Sequence, residues 1–180
     1  MTLSRLPWLF AAALTLAACS GVRVDDYAGT SPTFDLFEYF DGSSRAWGTF
    51  QNRSGELKRR FTVDIRGEVD GDRLTLTEDF VYDDGERQRR IWTIQRLDGN
   101  RFEGTAADVV GKASGAAAGA ALNWQYTMRL PVDETTYDVQ FDDWMFLHQD
   151  GVLVNRAEVS KFGLRVGEVT LFFQRGGADK

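Results

Sequence analysis

The chain has 180 residues, with 21 Lys and Arg against 27 Asp and Glu, one His and one Cys. That length fits a single domain that buries a hydrophobic core without a disulfide or a structural metal. The formal charge of −6 argues against nucleic acid as a partner, because phosphate binding needs clustered cations. One cysteine and one histidine cannot build a Cys/His zinc cage, so we expect no metal and no cofactor.

The first residues are typical of an export signal. Leu6 to Ala18 is an apolar run of 13 residues behind Arg5, whereas a membrane span needs about 20 residues. The tetrapeptide Leu16-Ala17-Ala18-Cys19 resembles the bacterial lipobox, in which the cysteine thiol receives a diacylglycerol and becomes the first residue after cleavage. We therefore predict a cleaved signal peptide over 1–18 and a lipid anchor at Cys19. An ordinary secretory peptide with an incidental cysteine is the alternative.

An acylated Cys19 would hold the protein on a membrane, since each buried methylene contributes about 0.8 kcal/mol. By the same resemblance, Ser20 in place of Asp after the cysteine implies the periplasmic face of the outer membrane. Cleavage removes one basic residue and no acid, which leaves 20 basic and 27 acidic side chains and a charge of −7. Residues 19–33, with Gly, Ser, Asp and Thr, are interpreted as the lipidated start and tether of a single domain over 34–180.

Asp-Gly pairs punctuate the rest of the chain, at 41–42, 70–71, 84–85, 98–99 and 150–151. They favour hairpin turns because glycine accepts the positive φ that such turns require. Long antiparallel meanders avoid exposed edges by closing into a barrel. We predict an all-β, antiparallel up-and-down meander that closes into a barrel of about eight or nine strands, which is wide enough to hold a ligand. The predicted strands are 45–53, 56–69, 73–83, 86–97, 101–108, 122–131, 135–148, 152–162 and 165–175.

Alternation sets which side chains of these strands point inward. In the second predicted strand the apolar face contains Leu57, Phe61, Val63, Ile65 and Val69. A two-residue turn at Asp70-Gly71 pairs Val63 with Glu78 and Phe61 with Phe80, so Glu78 points inward with the apolar set.

The next two turns predict a row of charged side chains on the inner face. A three-residue loop at 83–85 aligns Glu78 with Arg90 and Leu76 with Trp92, and a similar loop at 98–100 aligns Arg90 with Asp108. A two-residue turn at 84–85 would instead turn Arg90 to solvent. The row Glu78, Arg90, Asp108 is either an anchor for the head group of a ligand or a self-satisfied structural network, and structural ion pairs are the commoner cause of such clusters.

The segment 107–121 breaks the alternation with small residues, and we interpret it as a packed loop or short helix that covers one end of the barrel. Alternation resumes at Trp124, on an apolar face. In the following strand Asp142 and Asp143 must point to opposite faces, and the sequence does not decide which of them turns inward. Asn155 on the strand after that is a polar partner for them. The candidate ligand-binding residues are therefore Glu78, Arg90, Trp92, Asp108, Trp124, Asp143 and Asn155.

Several spaced motifs carry a family resemblance. They are Phe37 to Phe40 before Asp41-Gly42, Ala46-Trp47-Gly48, Glu78 with Phe80 and Tyr82, Arg90 with Trp92, the segment from Ala107 to Gly115, Asp142-Asp143-Trp144-Met145, Asn155-Arg156 and Lys161-Phe162-Gly163. Together they resemble the DUF3833 family of bacterial lipoproteins of unknown function. The resemblance implies a periplasm-facing lipoprotein with a lipocalin-like β-fold and favours a lipid ligand. It supplies no catalytic residue.

Three classes of function remain. The first, which we predict, is a membrane-anchored binding module that holds a fatty acid, a phospholipid or a similar amphiphile in the barrel. The second is a structural envelope lipoprotein whose barrel is packed solid. The third is an enzyme on an envelope lipid or glycan that uses Glu78 with Asp108 or Asp143 as paired carboxylates. We expect no enzymatic activity, and no protein partner follows from the sequence.

Overall fold

A computed structural model of the chain describes residues 21–132 and 134–176. Ten antiparallel strands follow one another, each paired with the next, and the last pairs with the first to close a barrel. The strands are β1 Gly42–Asn52, β2 Leu57–Asp70, β3 Arg73–Tyr82, β4 Arg87–Arg96, β5 Arg101–Thr105, β6 Ala113–Ala118, β7 Ala121–Val132, β8 Thr135–Leu147, β9 Leu153–Lys161 and β10 Leu164–Arg175. The predicted all-β meander and barrel are confirmed, with one strand more than the nine segments predicted.

A short helix, α1 Leu36–Phe40, closes one end of this barrel. Asp35 caps it by accepting hydrogen bonds from the backbone N–H groups of Phe37 and Glu38, at 2.8 and 3.0 Å. The Asp35 carboxylate also forms an ion pair with Arg96 of β4, with a shortest N–O distance of 2.9 Å. Four of the five helical residues are buried. Because β4 and the cap hold it in place, α1 acts as a fixed plug.

The segment before α1 lies against the outside of the barrel. Residues Val24–Tyr27 form a 3₁₀-helix, and the Tyr27 ring lies 5.2 Å from the ring of Phe146, centroid to centroid. The N–H of Ala120 donates to the Thr30 hydroxyl at 2.9 Å. Part of the segment interpreted as a tether therefore packs on β7 and β8. The predicted signal peptide and Cys19 lie outside the described residues, and no described helix is long and apolar enough to cross a membrane.

The prediction of a loop or short helix over 107–121 is wrong in its second half. Residues Ala113–Ala118 form β6, which pairs with β5 and β7. The small side chains have a steric reason: a Cβ on Gly104 of β5 would lie 2.7 Å from the Trp124 ring, and one on Gly115 of β6 would overlap it. Trp124 of β7 therefore lies over both glycines, and bulkier residues in β6 would displace it.

The register between β2 and β3 also differs from the prediction. Val63 pairs with Phe80 rather than Glu78, and Phe61 pairs with Tyr82, because the two-residue turn is Gly71-Asp72. Moving a turn by one residue moves the pairing by two, so the inward-facing set is unchanged. The predicted pairs Leu74 with Ile94, Leu76 with Trp92 and Glu78 with Arg90 are all present between β3 and β4.

The larger hydrophobic cluster lies in the half of the barrel next to α1. Its best-buried side chains are large aliphatic residues near the strand ends that meet α1, and those with no exposed area are Leu74, Leu122 and Leu153. A smaller cluster, at Met128, Val139 and Val159, lies toward the other end, and the side chains leave a cavity that extends to Leu36 and Phe40 of α1.

Candidate functional site

The inner faces of the strands enclose a cavity of about 600 Å³. Exposed residues line it at the end opposite α1, among them Glu86, Gln88 and Pro131, so the cavity opens to solvent there. Its volume is within the range of about 300–1,000 Å³ that is common for small-molecule sites. The barrel is therefore not packed to interior density, as a purely structural barrel would be.

Aromatic side chains form much of the wall. Trp92 of β4 meets Trp124 edge-on with ring centroids 5.8 Å apart, and Tyr126 in the same way at 5.4 Å. Tyr126 stacks on Phe141 of β8 at 4.9 Å with nearly parallel rings. Such contacts hold large side chains in fixed positions at low entropic cost, so this wall is preorganised.

The charged row predicted from sequence is present at mid-depth. Arg90 donates from Nε to Asp108 at 2.9 Å, and its Nη1 lies 3.8 Å from a carboxylate oxygen of Glu78. A further Arg90 nitrogen lies 3.4 Å from the sulfur of Met128. The guanidinium is therefore surrounded by partners that belong to the protein itself, as the structural interpretation requires.

The Arg90–Asp108 ion pair also joins two sides of the barrel wall. The ladder between β4 and β5 ends at Thr93 and Thr105, and the chain then crosses to β7, where the N–H of Arg129 donates to the Asp108 carbonyl at 2.7 Å. Asp108 is thus held on the β7 side while its carboxylate reaches Arg90 on β4. The predicted alignment of Arg90 with Asp108 along one ladder is wrong, but the side-chain contact it implied is present.

A second cation, Arg59 of β2, lies at the mouth. Its guanidinium stacks on the Tyr82 ring at 3.6 Å from the centroid and forms ion pairs with Asp84 at 3.0 Å and Glu86 at 2.8 Å. We did not single out Arg59 from the sequence. The signal was available, since alternation puts residue 59 on the same face as Phe61 and Val63.

Asp143 is the acid that turns inward. It is 5% exposed and lines the cavity, and the neighbouring Asn155 is 1% exposed. The amide nitrogen of Asn155 donates to one oxygen of Asp143 at 3.3 Å. Asp142 points to the outer face, where its carboxylate accepts hydrogen bonds from Asn123 and Gln125 at 2.6 and 3.0 Å. The question left open by the sequence is answered by these two sets of contacts.

The two inward acids are electrostatically unusual. Burial raises the pKa of the Glu78 carboxyl to about 7, with Arg90 opposing the rise and Asp108 adding to it. Burial also raises the pKa of the Asp143 carboxyl to about 7; the hydrogen bond from Asn155 opposes that rise, and the charge of Asp142 adds to it. Perturbed carboxyls that face a cavity are a common mark of a functional site.

The structure brings most of the candidate residues together. Glu78, Arg90, Trp92, Trp124, Asp143 and Asn155 all line the cavity. Asp108 forms an ion pair with Arg90, which lines the cavity. His148 is exposed, beyond the end of β8, and among the described residues no group of three or more His, Cys, Asp and Glu side chains is placed to hold a metal ion.

A closed antiparallel barrel with a plugged base, an open mouth and an apolar cavity holding a few polar side chains defines a barrel of the lipocalin-like kind. A solved structure with a similar fold is that of an S-type phycobiliprotein lyase from Guillardia theta, at a TM-score of 0.58. The match covers 79% of this chain and 92% of that chain with 10% sequence identity, so the similarity concerns the fold.

The family is shown by the sequence itself. Residues 13–175 match the family described as "Protein of unknown function (DUF3833)", and the chain belongs to that family. The resemblance to this family noted from the sequence motifs is confirmed. None of the curated proteins compared with the chain matches it significantly.

Proposed function

We propose that the protein is a bacterial envelope lipoprotein that holds a lipid or a similar small amphiphile in its barrel cavity. The observation that carries this proposal is the cavity of about 600 Å³, apolar over most of its wall and open at one end. Acylation of Cys19 would keep the protein at the periplasmic face of the outer membrane, where such ligands are present.

The disposition of the carboxylates favours binding over catalysis. A carboxylate-dependent hydrolase needs two carboxyl groups that face the substrate from opposite sides. Glu78 and Asp108 are both engaged by Arg90, which leaves Asp143 as the inward carboxyl without a cation partner among the described residues. One such group in an apolar cavity suits recognition of a ligand better than acid–base chemistry.

The test is native mass spectrometry of the protein purified from its own envelope, combined with melting temperatures against a panel of fatty acids, fatty alcohols, fatty amines and phospholipids. We expect a co-purified lipid and a rise in melting temperature with at least one class of compound. If no lipid co-purifies and no compound shifts the melting temperature, the barrel has a structural role.

A pair of variants shows whether a bound lipid occupies the cavity. Ala157 is 2% exposed, lines the cavity and lies opposite Asp143 in the ladder of β8 and β9. Ala157→Phe should fill part of the cavity and abolish co-purification. Glu158→Phe puts the same side chain on the outer face of β9 and should leave the bound lipid unchanged. Equal loss in both variants would place the lipid outside the barrel.

A further inference from the structure

The charged side chains that line the cavity differ in how many ion-pair partners they have. Both cations are paired twice within the described residues, Arg90 with Glu78 and Asp108 and Arg59 with Asp84 and Glu86. An anionic head group that reaches mid-depth would therefore have to displace an ion pair of Arg90, whose side chain is 17% exposed. Arg59 lies at the mouth, where its carboxylate partners are exposed and its buried Nε donates to no described atom.

Two hydrogen-bond acceptors deeper in the cavity lack a donor. Asp143 Oδ1 and Asn155 Oδ1 are buried oxygens that accept no hydrogen bond from the described protein, and both side chains line the cavity. A buried acceptor without a donor destabilises the folded protein. Two such atoms lie on neighbouring strands next to an open cavity. This arrangement is expected of a site that receives a hydrogen-bond donor from outside the protein.

We propose that the ligand carries a hydrogen-bond donor, a hydroxyl or an amine, that binds between Asp143 and Asn155. This inference rests on the proposed function and identifies the chemical class of the ligand. Asp143 lies four residues from Leu147, at the end of β8 next to α1, and eight residues from Thr135 at the mouth. The ligand therefore enters polar group first, and its apolar part extends toward the mouth.

The walls around this point agree with that orientation. Asp143 pairs with Trp124 and Ala157 in the two adjoining ladders, so the polar pair is set between an aromatic and a small side chain. On the side of β8, β9 and β10 the lining toward the mouth is apolar, with Phe141, Val159 and Val169. A free fatty acid is the amphiphile least suited to this arrangement, because its carboxylate would face the carboxyl of Asp143 while Arg90, the cation at mid-depth, is already paired.

The experiment compares three probes with the same tail: dodecanol, dodecylamine and dodecanoate. Their dissociation constants are measured at about pH 8, above the pKa of Asp143. The method is isothermal titration calorimetry on the purified protein carrying Cys19→Ser, which excludes the acyl anchor from the cavity. We expect dodecanol and dodecylamine to bind at least about tenfold more tightly than dodecanoate, the effect of one hydrogen bond to a charged group. This comparison uses a protein whose cavity residues are all unchanged.

Two aspartates of β8 provide matched variants. Asp143→Asn keeps the shape and one acceptor but removes the charge, and should weaken dodecylamine about tenfold while changing dodecanol little. Asp138→Asn makes the same change at an exposed position on the outer face and should alter neither. The inference is overturned if dodecanoate binds more tightly than dodecanol and dodecylamine. It is also overturned if Asp143→Asn still prefers dodecylamine to dodecanoate. Either result leaves lipid binding intact. Failure of every probe and every compound in the wider panel to bind overturns the proposed function as well.

Discussion

Asp143→Asn should stabilise the protein in a pH-dependent way, because it removes a buried group that ionises at a cost. The folded-state pKa of Asp143 is raised from the ordinary value of 3.8 to about 7. Between about pH 4 and about pH 7 the unfolded chain has lost this proton while the folded chain still binds it. The contribution of the protonated carboxyl to stability is therefore complete below about pH 4 and is lost as the pH rises through about 7.

The magnitude follows from the size of the shift. A rise of about three pKa units at about 1.4 kcal/mol each corresponds to about 4 kcal/mol of stability lost by about pH 8. Asparagine has nearly the same shape and does not ionise. Asp143→Asn should consequently match the native protein in acid and exceed it by about 4 kcal/mol at about pH 8, or about 10 °C in melting temperature for a domain of this size.

Urea unfolding followed by tryptophan fluorescence across this pH range measures the effect directly. Glu78 has a raised pKa as well, so the native protein loses stability through both groups, and only the difference between the native protein and the variant reports Asp143. Asp138→Asn is the control, since its side chain is exposed on the outer face of the same strand. A difference between Asp143→Asn and the native protein that stays constant with pH would refute the reasoning.

Three further changes test other parts of the structure. Arg90→Met leaves two carboxylates without their cation and should cost about 3–5 kcal/mol in urea unfolding; a cost within error of zero would mean that the ion pairs are not needed. In Gly67→Ala the new Cβ would overlap the carbonyl oxygen of Phe40. We therefore expect about 1–3 kcal/mol of destabilisation and faster hydrogen exchange in α1. Unchanged protection of α1 against exchange would contradict its role as a plug. Replacing residues 1–19 by a cleavable secretory signal without a lipobox should move the protein into the soluble fraction, because the remaining chain, with 20 basic and 27 acidic side chains, is repelled by anionic lipid; a variant that stays with the membrane fraction would contradict the anchor.

Much of the barrel could be predicted from the sequence because hairpin turns and alternation are local signals. Four of the five Asp-Gly pairs lie in hairpin turns, whereas Asp41-Gly42 joins α1 to β1. Alternation assigned the inward face even where the predicted pairing partner was wrong, as with Val63. Helix α1 was missed since five residues are too few for a periodic pattern. Its signal is the capping residue Asp35 ahead of an apolar run.

The strand β6 could not be predicted in this way. Its residues Ala113–Ala118 are all small, so they show no alternation between apolar and polar side chains. Their size is dictated by Trp124, which lies over Gly104 and Gly115 from a neighbouring strand. Because this constraint acts between segments that are distant in sequence, local patterning does not report it.

The site shows the same division between local and non-local information. Alternation with a three-residue loop at 83–85 placed Glu78 and Arg90 inward, but it left open which of Asp142 and Asp143 turns inward. It also does not report whether an inward polar group already has a partner. That depends on where the ladders end: Asp108 reaches Arg90 because the β4–β5 ladder ends at Thr93. Asp143 lies inside a complete ladder, and among the described residues only Asn155 forms a hydrogen bond with its side chain. The charged row and the acceptor pair therefore have separable roles: replacing Arg90 should lower stability, whereas replacing Asp143 should raise stability near pH 8 and change which ligands bind.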